Sequence, residues 1–346
     1  MTDPSRPRER QRSDGPAVRP PSHRAPPGRP RGESLFNDAP EPPRRRGSAT
    51  VLGIAVLLVG IGALGALGLR SPEPEPLAQR PAPAPVPATS PAPPAMPDRS
   101  GGEFSAETAP ATPVLALEAN PLNEVETGAA PVPCTLPEFE STPEGQRAFF
   151  EAAMPCLDGA WRPVLEAANL PFRSADVELV TREVQTPCGS RSPTQTALYC
   201  DGTIYMTSAY YRDVEGHGDT AGVYFGQLAH EYGHHVQELA GIMDASWRER
   251  HGQGVNTPGG FEVARRFELQ ATCFGGMFLS SVARGSVDPG TVDEALTDSG
   301  RRGDYTDGRP PDHGRPEINA AWVQRGFDEN STSRCDTWSV APDIVR

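Results

Sequence analysis

The sequence predicts a membrane-anchored chain with one folded body at its C-terminal end, and three observations carry that reading. A run of 21 residues without a charge, Ala49 to Leu69, is long enough to cross about 30 Å of hydrocarbon as a helix. Ser71 to Ser100 holds 11 prolines, mostly alternating with alanine or glutamate, which suits a semi-extended spacer and not a core. All six cysteines, Cys134, Cys156, Cys188, Cys200, Cys273 and Cys335, lie beyond that spacer. With 40 prolines, 35 glycines and a hydrophobic fraction of 36% in 346 residues, the composition does not describe one average domain and is read in parts.

The first part, residues 1–47, has 11 arginines against 6 acidic residues and almost nothing to bury, so a disordered basic head is expected. It ends in Arg44-Arg45-Arg46. Residues 48–70 follow as a transmembrane anchor. The basic stretch is longer than the usual n-region and the apolar run longer than the usual h-region, which favours an uncleaved anchor over a signal peptide. Arginines before the span and few after it place the N-terminus in the cytoplasm and everything downstream outside the membrane. Residues 71–133 read as a Pro/Ala-rich disordered stalk, and residues 134–346 as a body large enough for one core. An even number of cysteines confined to the external part predicts disulfides, and the lack of any Cys-x-x-Cys pair argues against zinc knuckles. The net charge of −13 excludes a general nucleic-acid binder, which would need a basic face.

Chemistry concentrates in residues 219–241. Asp219 or Thr220 can cap a helix start, Gly241 sits where a terminating glycine belongs, and Val223, Leu228, Val236 and Leu239 recur at roughly helical spacing. Within this helix His230, Glu231 and His234 form the pattern H-E-x-x-H. Positions i and i+4 share one helix face about 6 Å apart along the axis, so both imidazoles can converge on one Zn²⁺. Glu231 can reach a metal-bound water and serve as general base, taking the water's proton and passing it to a leaving amine. Only seven histidines occur in the chain, and three fall within these six positions. His235 points about 100° away from His234 and is assigned a supporting role. A catalytic zinc needs a third protein ligand and an open position. The elongated pattern with Gly at 237 and His at 240 is excluded by Gln237 and Ala240. A glutamate from a later helix is the other common solution, and Glu262 and Glu268, within 261–283, are both candidates. Glu268 lies beside the apolar stripe of Val263, Phe267, Ala271 and Phe274, whereas an acid at 262 suits a helix start.

These residues resemble the neutral zinc metallopeptidase family of membrane-anchored or secreted bacterial proteins. Five ordered segments carry the likeness: AHEYGHHVQ (229–237), ELQATCFGG (268–276), INAAWVQRGFD (318–328), CDTW (335–338) and the cysteine-bounded CGSRSPTQTALYCDGTIYM (188–206). The resemblance implies an α+β fold, a small zincin with a few-stranded sheet packed on helices. It implies His230, His234 and Glu268 as ligands of one Zn²⁺ per chain, and Thr203–Thr207 as an edge strand beside the metal, to which a peptide could add. It also implies the pairings Cys134–Cys156, Cys188–Cys200 and Cys273–Cys335. His313, in a segment similar to a family His-Gly, becomes a candidate donor to the oxyanion of peptide hydrolysis. Tyr205 and Tyr232 are weaker candidates. One departure matters: Thr272 stands where the family usually has Asp, and losing a carboxylate behind a ligating histidine can cost 10–100-fold in metal affinity or activity.

The expected activity is an anchored, extracytoplasmic zinc endopeptidase acting on peptide or protein substrates. The alternative is a catalytically silent protein of the same fold that binds peptides or envelope partners. No nucleophile-elbow signature supports a serine or cysteine hydrolase.

Overall fold

A computed structural model describes residues 111–305 and 309–346. The head, the anchor run Ala49 to Leu69 and the stalk as far as residue 110 lie outside the described residues. Among the described residues, no helix is long and apolar enough to cross a membrane.

The body opens with a single helical turn, α1 (Pro121–Glu124), then α2 (Pro143–Ala167). Strands β1 (Asp176–Val180), β2 (Val184–Thr186), β3 (Gly189–Arg191), β4 (Leu198–Cys200) and β5 (Thr203–Thr207) follow. A π-helical turn (Tyr210–Val214) leads into α3 (Ala221–Ala240), α4 (Ile242–Gln253), α5 (Pro258–Ala283), α6 (Pro289–Ser299) and α7 (Pro316–Glu329). Five of these helices begin with proline in the first turn, where a missing N–H costs nothing. Asn120, Thr142, Thr257 and Asp288 accept from N–H groups of the helices they precede. Two internal prolines, Pro155 and Pro163, do not end α2, because it buries Phe149, Phe150, Leu157, Trp161 and Val164 along one side.

Residues 111–133, which composition places in the stalk, belong to this body. Asn120, Leu122 and Ala129 are at most 1% exposed. Asn120 Nδ2 donates to Val114 O and to Ala240 O, both at 2.9 Å, tying the arm to the end of α3. Proline and alanine content hides this, since one capped turn and a few anchored side chains leave little trace in composition.

The sheet has the order β1-β5-β4, with β1 parallel and β4 antiparallel to β5; β2 and β3 form a separate hairpin. Thr203–Thr207, expected at the edge, is therefore the central strand. The turn Asp201-Gly202, with φ of 48° and 85°, folds β4 back on β5 and leaves β4 outermost. The parallel pairing of β1 with β5 joins segments distant in the chain and has no local signature in the sequence. Ile204 and Met206 join the main core, whereas Tyr205 packs with Val180, Leu198 and Cys200 in a small second cluster.

Seventeen of the twenty residues of α3 are buried, so it is surrounded on all sides, and it ends at Gly241 in the left-handed conformation, as its sequence predicts. Close approach to α5 requires a glycine: a Cβ at Gly233 would lie 2.8 Å from Ala271 O. A Cβ at Gly326 of α7 would lie 2.0 Å from Cys273 O, so α7 also packs backbone against α5. The disulfides are Cys134–Cys156, Cys188–Cys200 and Cys273–Cys335, the pairings implied by the resemblance.

Candidate metal centre

Helices α3 and α5 bring three donors to one point. His230 Nε2 and His234 Nε2 each lie 3.3 Å from Glu268 Oε2, and all three ligand atoms fall within 4.8 Å of one another. Two atoms each about 2.0–2.1 Å from a tetrahedral zinc are roughly 3.3–3.4 Å apart, so this two-nitrogen, one-oxygen set fits that ion. Glu262 is elsewhere: its Oε1 pairs with Arg266 Nη2 at 2.8 Å, on the same helix. Burial alone would push the Glu268 carboxyl up, but His313, His234 and His230 beside it hold it well below the carboxylate range. His234 moves the other way. Burial lowers its imidazole, and Glu268 leads the groups that more than reverse this.

The donors lie in a cleft of about 710 Å³ whose walls include Glu231, Thr272 and His313 as well as Thr196 and Ala197 and, on the edge strand β4, Leu198 and Tyr199. Glu231 is buried and shares this cleft with the ligands. The guanidinium of Arg191 on β3, lowered by burial, is supported chiefly by the Glu231 carboxylate. His313 Nε2 stands 3.7 Å from Glu268 Oε2, while its Nδ1 pairs with Asp312 Oδ1 at 2.7 Å and its backbone N–H donates to Asp304. Burial would lower the His313 imidazole, but the carboxylates of Glu268, Asp312 and Asp304 raise it to about 9. Asp304, Asp312 and His313 form a second cluster of close donors, already bound to one another.

The remaining sequence candidates are distributed as follows. His235 is fully buried away from the centre, with Nε2 2.8 Å from Arg173 O and Nδ1 2.8 Å from Tyr199 Oη. Tyr232 donates to Asp158 at 2.6 Å, and neither it nor Tyr205 lines the cleft. Thr272 Oγ1 lies 3.3 Å from His230 Nδ1, the position in which the absent carboxylate would act. Sequence reasoning missed Gln237, whose Oε1 lies 2.9 Å from His234 Nδ1, because position 237 was read only as failing a glycine requirement. It also missed Asn319, which touches Thr272 and the His313 backbone, and Asp312. The i, i+3 spacing from His234 could have pointed to Gln237; nothing local could have pointed to Asn319.

This mixed helix-and-sheet body brings two imidazoles of an H-E-x-x-H helix and a distant glutamate to one point, a donor set that could hold a metal ion. The chain belongs to the family described as "Putative neutral zinc metallopeptidase", whose model matches residues 136–338. It is 30% identical over 209 residues to "Uncharacterized protein YpfJ" of Escherichia coli K12, covering 55% of this chain and 70% of that one. It is 29% identical over 210 residues to "Uncharacterized protein Rv2575" of Mycobacterium tuberculosis H37Rv, covering 54% and 68%. No solved structure matches the chain.

Proposed function

We propose that the protein is a zinc endopeptidase that hydrolyses peptide bonds outside the cytoplasmic membrane, to which Ala49 to Leu69 anchors it. The observation that carries this reading is the convergence of His230, His234 and Glu268 beside the Glu231 carboxylate in one open cleft. His230, His234 and Glu268 would hold one Zn²⁺ per chain. The ion supplies Lewis acidity toward a carbonyl and toward water when bound. Glu231 takes the proton of the attacking water and delivers it to the departing amine, so one carboxylate serves as base and then acid. His313, oriented by the contact of its Nδ1 with Asp312, turns Nε2 toward the donor set and is the candidate partner for the oxygen that becomes negative as the carbonyl is attacked. Strand β4 lies at the edge of the sheet, and its Leu198 and Tyr199 line the cleft, so an extended substrate laid against that edge would gain backbone hydrogen bonds.

The rival reading, a silent peptide-binding protein, has one observation in its favour: His230 is partnered by the neutral Thr272 where a charged acceptor would strengthen the ligand. The full chain, purified in detergent from an oxidising route, should carry about one zinc, and Glu268→Ala should carry far less. Glu231→Gln should keep its zinc and lose cleavage of a peptide library by about 10²–10⁴-fold. A folded wild type that binds no supplied zinc overturns the proposal. Zinc binding without any Glu231-dependent cleavage selects the silent scaffold.

A further inference from the structure

We propose that two uncharged hydrogen-bond relays, each anchored on backbone carbonyls, hold His230 and His234 as Nδ1–H tautomers with Nε2 free for a metal; Gln237, Gln270, Asn123 and Trp338 are positioning residues for His234, and Thr272 and Asn319 for His230. The inference rests on the reading that these histidines bind zinc.

The polarity of the longer relay follows from groups that can act in one way only. A carbonyl oxygen accepts, and an indole N–H donates. Asn123 Nδ2 donates to Leu117 O at 2.8 Å, which leaves Asn123 Oδ1 to receive Gln270 Nε2 at 3.0 Å. Trp338 Nε1 donates to Gln270 Oε1 at 3.1 Å and imposes the same orientation from the other side. Gln270 Oε1 then receives Gln237 Nε2 at 3.0 Å, and that nitrogen also donates to Phe267 O at 2.9 Å. Only Gln237 Oε1 remains to face His234 Nδ1, so Nδ1 must carry a hydrogen. The three amides are at most 6% exposed, and a flipped amide would set donor against donor and acceptor against acceptor at a buried position.

The shorter relay obeys the same logic. Asn319 Nδ2 donates to His313 O at 2.8 Å and Gly314 O at 3.3 Å, so Asn319 Oδ1 faces the Thr272 hydroxyl and accepts its one hydrogen at 3.3 Å. A lone pair of Thr272 Oγ1 is left toward His230 Nδ1 at 3.3 Å, which must also bear a hydrogen. The hydrogen bond made by one ring nitrogen thus decides what the other can do. Thr272 is then the end of a relay, one that orients the ligand without adding charge. Two remote regions become part of the metal site: the arm that carries Asn123, upstream of the family-matched residues 136–338, and the loop that carries His313.

The test uses the full chain and zinc itself, with affinity read by chelator competition and the thermal midpoint of the metal-free form read in parallel. Gln237→Leu and Thr272→Val should each weaken zinc binding by about 10–100-fold, whereas Thr272→Ser, which keeps the hydroxyl, should restore most of it. Asn123→Leu, remote from the centre, should weaken zinc binding in the same direction. If these variants only lower the midpoint and leave affinity unchanged, the residues are merely structural and the relays are wrong. Should a variant not fold, long-range ¹H–¹⁵N spectra of zinc-loaded wild type decide alone: both imidazoles must coordinate through Nε2 with protected Nδ1–H, and coordination through Nδ1 at either overturns the proposal. A wild type that takes up no zinc sinks the metal reading itself, which is a different failure.

Discussion

The two histidines of one helix turn are supported in different ways. His234 has a side chain 9% exposed, stacks on Phe267 with ring centroids 4.7 Å apart, and leans on an acceptor at 2.9 Å that ends a chain of buried amides. His230 is 19% exposed on its side chain and leans on one hydroxyl at 3.3 Å. The difference teaches that the H-E-x-x-H spacing makes its two imidazoles equivalent only in helix geometry. Their surroundings bury and stack His234 and leave His230 more open to the cleft.

The largest effect should come from removing what the two share. Glu268→Ala takes away the point on which both Nε2 atoms converge and should reduce zinc from about one per chain to near background in elemental analysis; retention of zinc would show that a different third ligand operates. Next comes the stacking partner of His234 alone. Phe267 is 1% exposed, so Phe267→Ala should destabilise the metal-free protein by about 3–5 kcal/mol in denaturant unfolding, with a further loss of zinc affinity. The comparison itself is sharpened by Gln237→Leu against Thr272→Val. The first should cost more zinc affinity, by roughly 1 kcal/mol, because it removes an acceptor at 2.9 Å from the more buried imidazole, whereas the second removes one at 3.3 Å from the more exposed imidazole. Equal losses would mean that the supports are energetically alike.

A separate, pH-dependent effect concerns His235, which is buried away from the metal site. Burial lowers the His235 imidazole from 6.5 to about 4. The unfolded chain therefore takes up this proton before the folded one does. The contribution to stability is whole above about pH 6.5 and is lost as pH falls toward 4, by up to ~3 kcal/mol. Replacement by Gln should flatten that part of the stability–pH curve, and an unchanged curve would assign the acid sensitivity to other groups.

Much of the centre was legible because it is local. Helical period places His230 and His234 on one face, and Glu231 beside them, whatever surrounds the helix. The stop at Gly241 is equally local, since a residue at φ 83° strongly favours glycine. Choosing Glu268 over Glu262 was harder. Both lie on α5, and only its contact with α3, set by the bare backbone at Gly233, shows which carboxylate faces the imidazoles and which one pairs with Arg266.

By itself, then, the sequence determined the helix that carries H-E-x-x-H, the family through five separated motifs, the cysteine pairs that the family implies and the acidic character of the body. The tertiary structure alone decided that Thr203–Thr207 lies in the middle of the sheet, that the body begins upstream of Cys134, and that Gln237, Asn123 and Asn319 stand behind His230 and His234. The physical reason is common to all three. A hydrogen bond between residues far apart in the chain depends on how whole helices and strands pack, and no period or spacing within either segment records it.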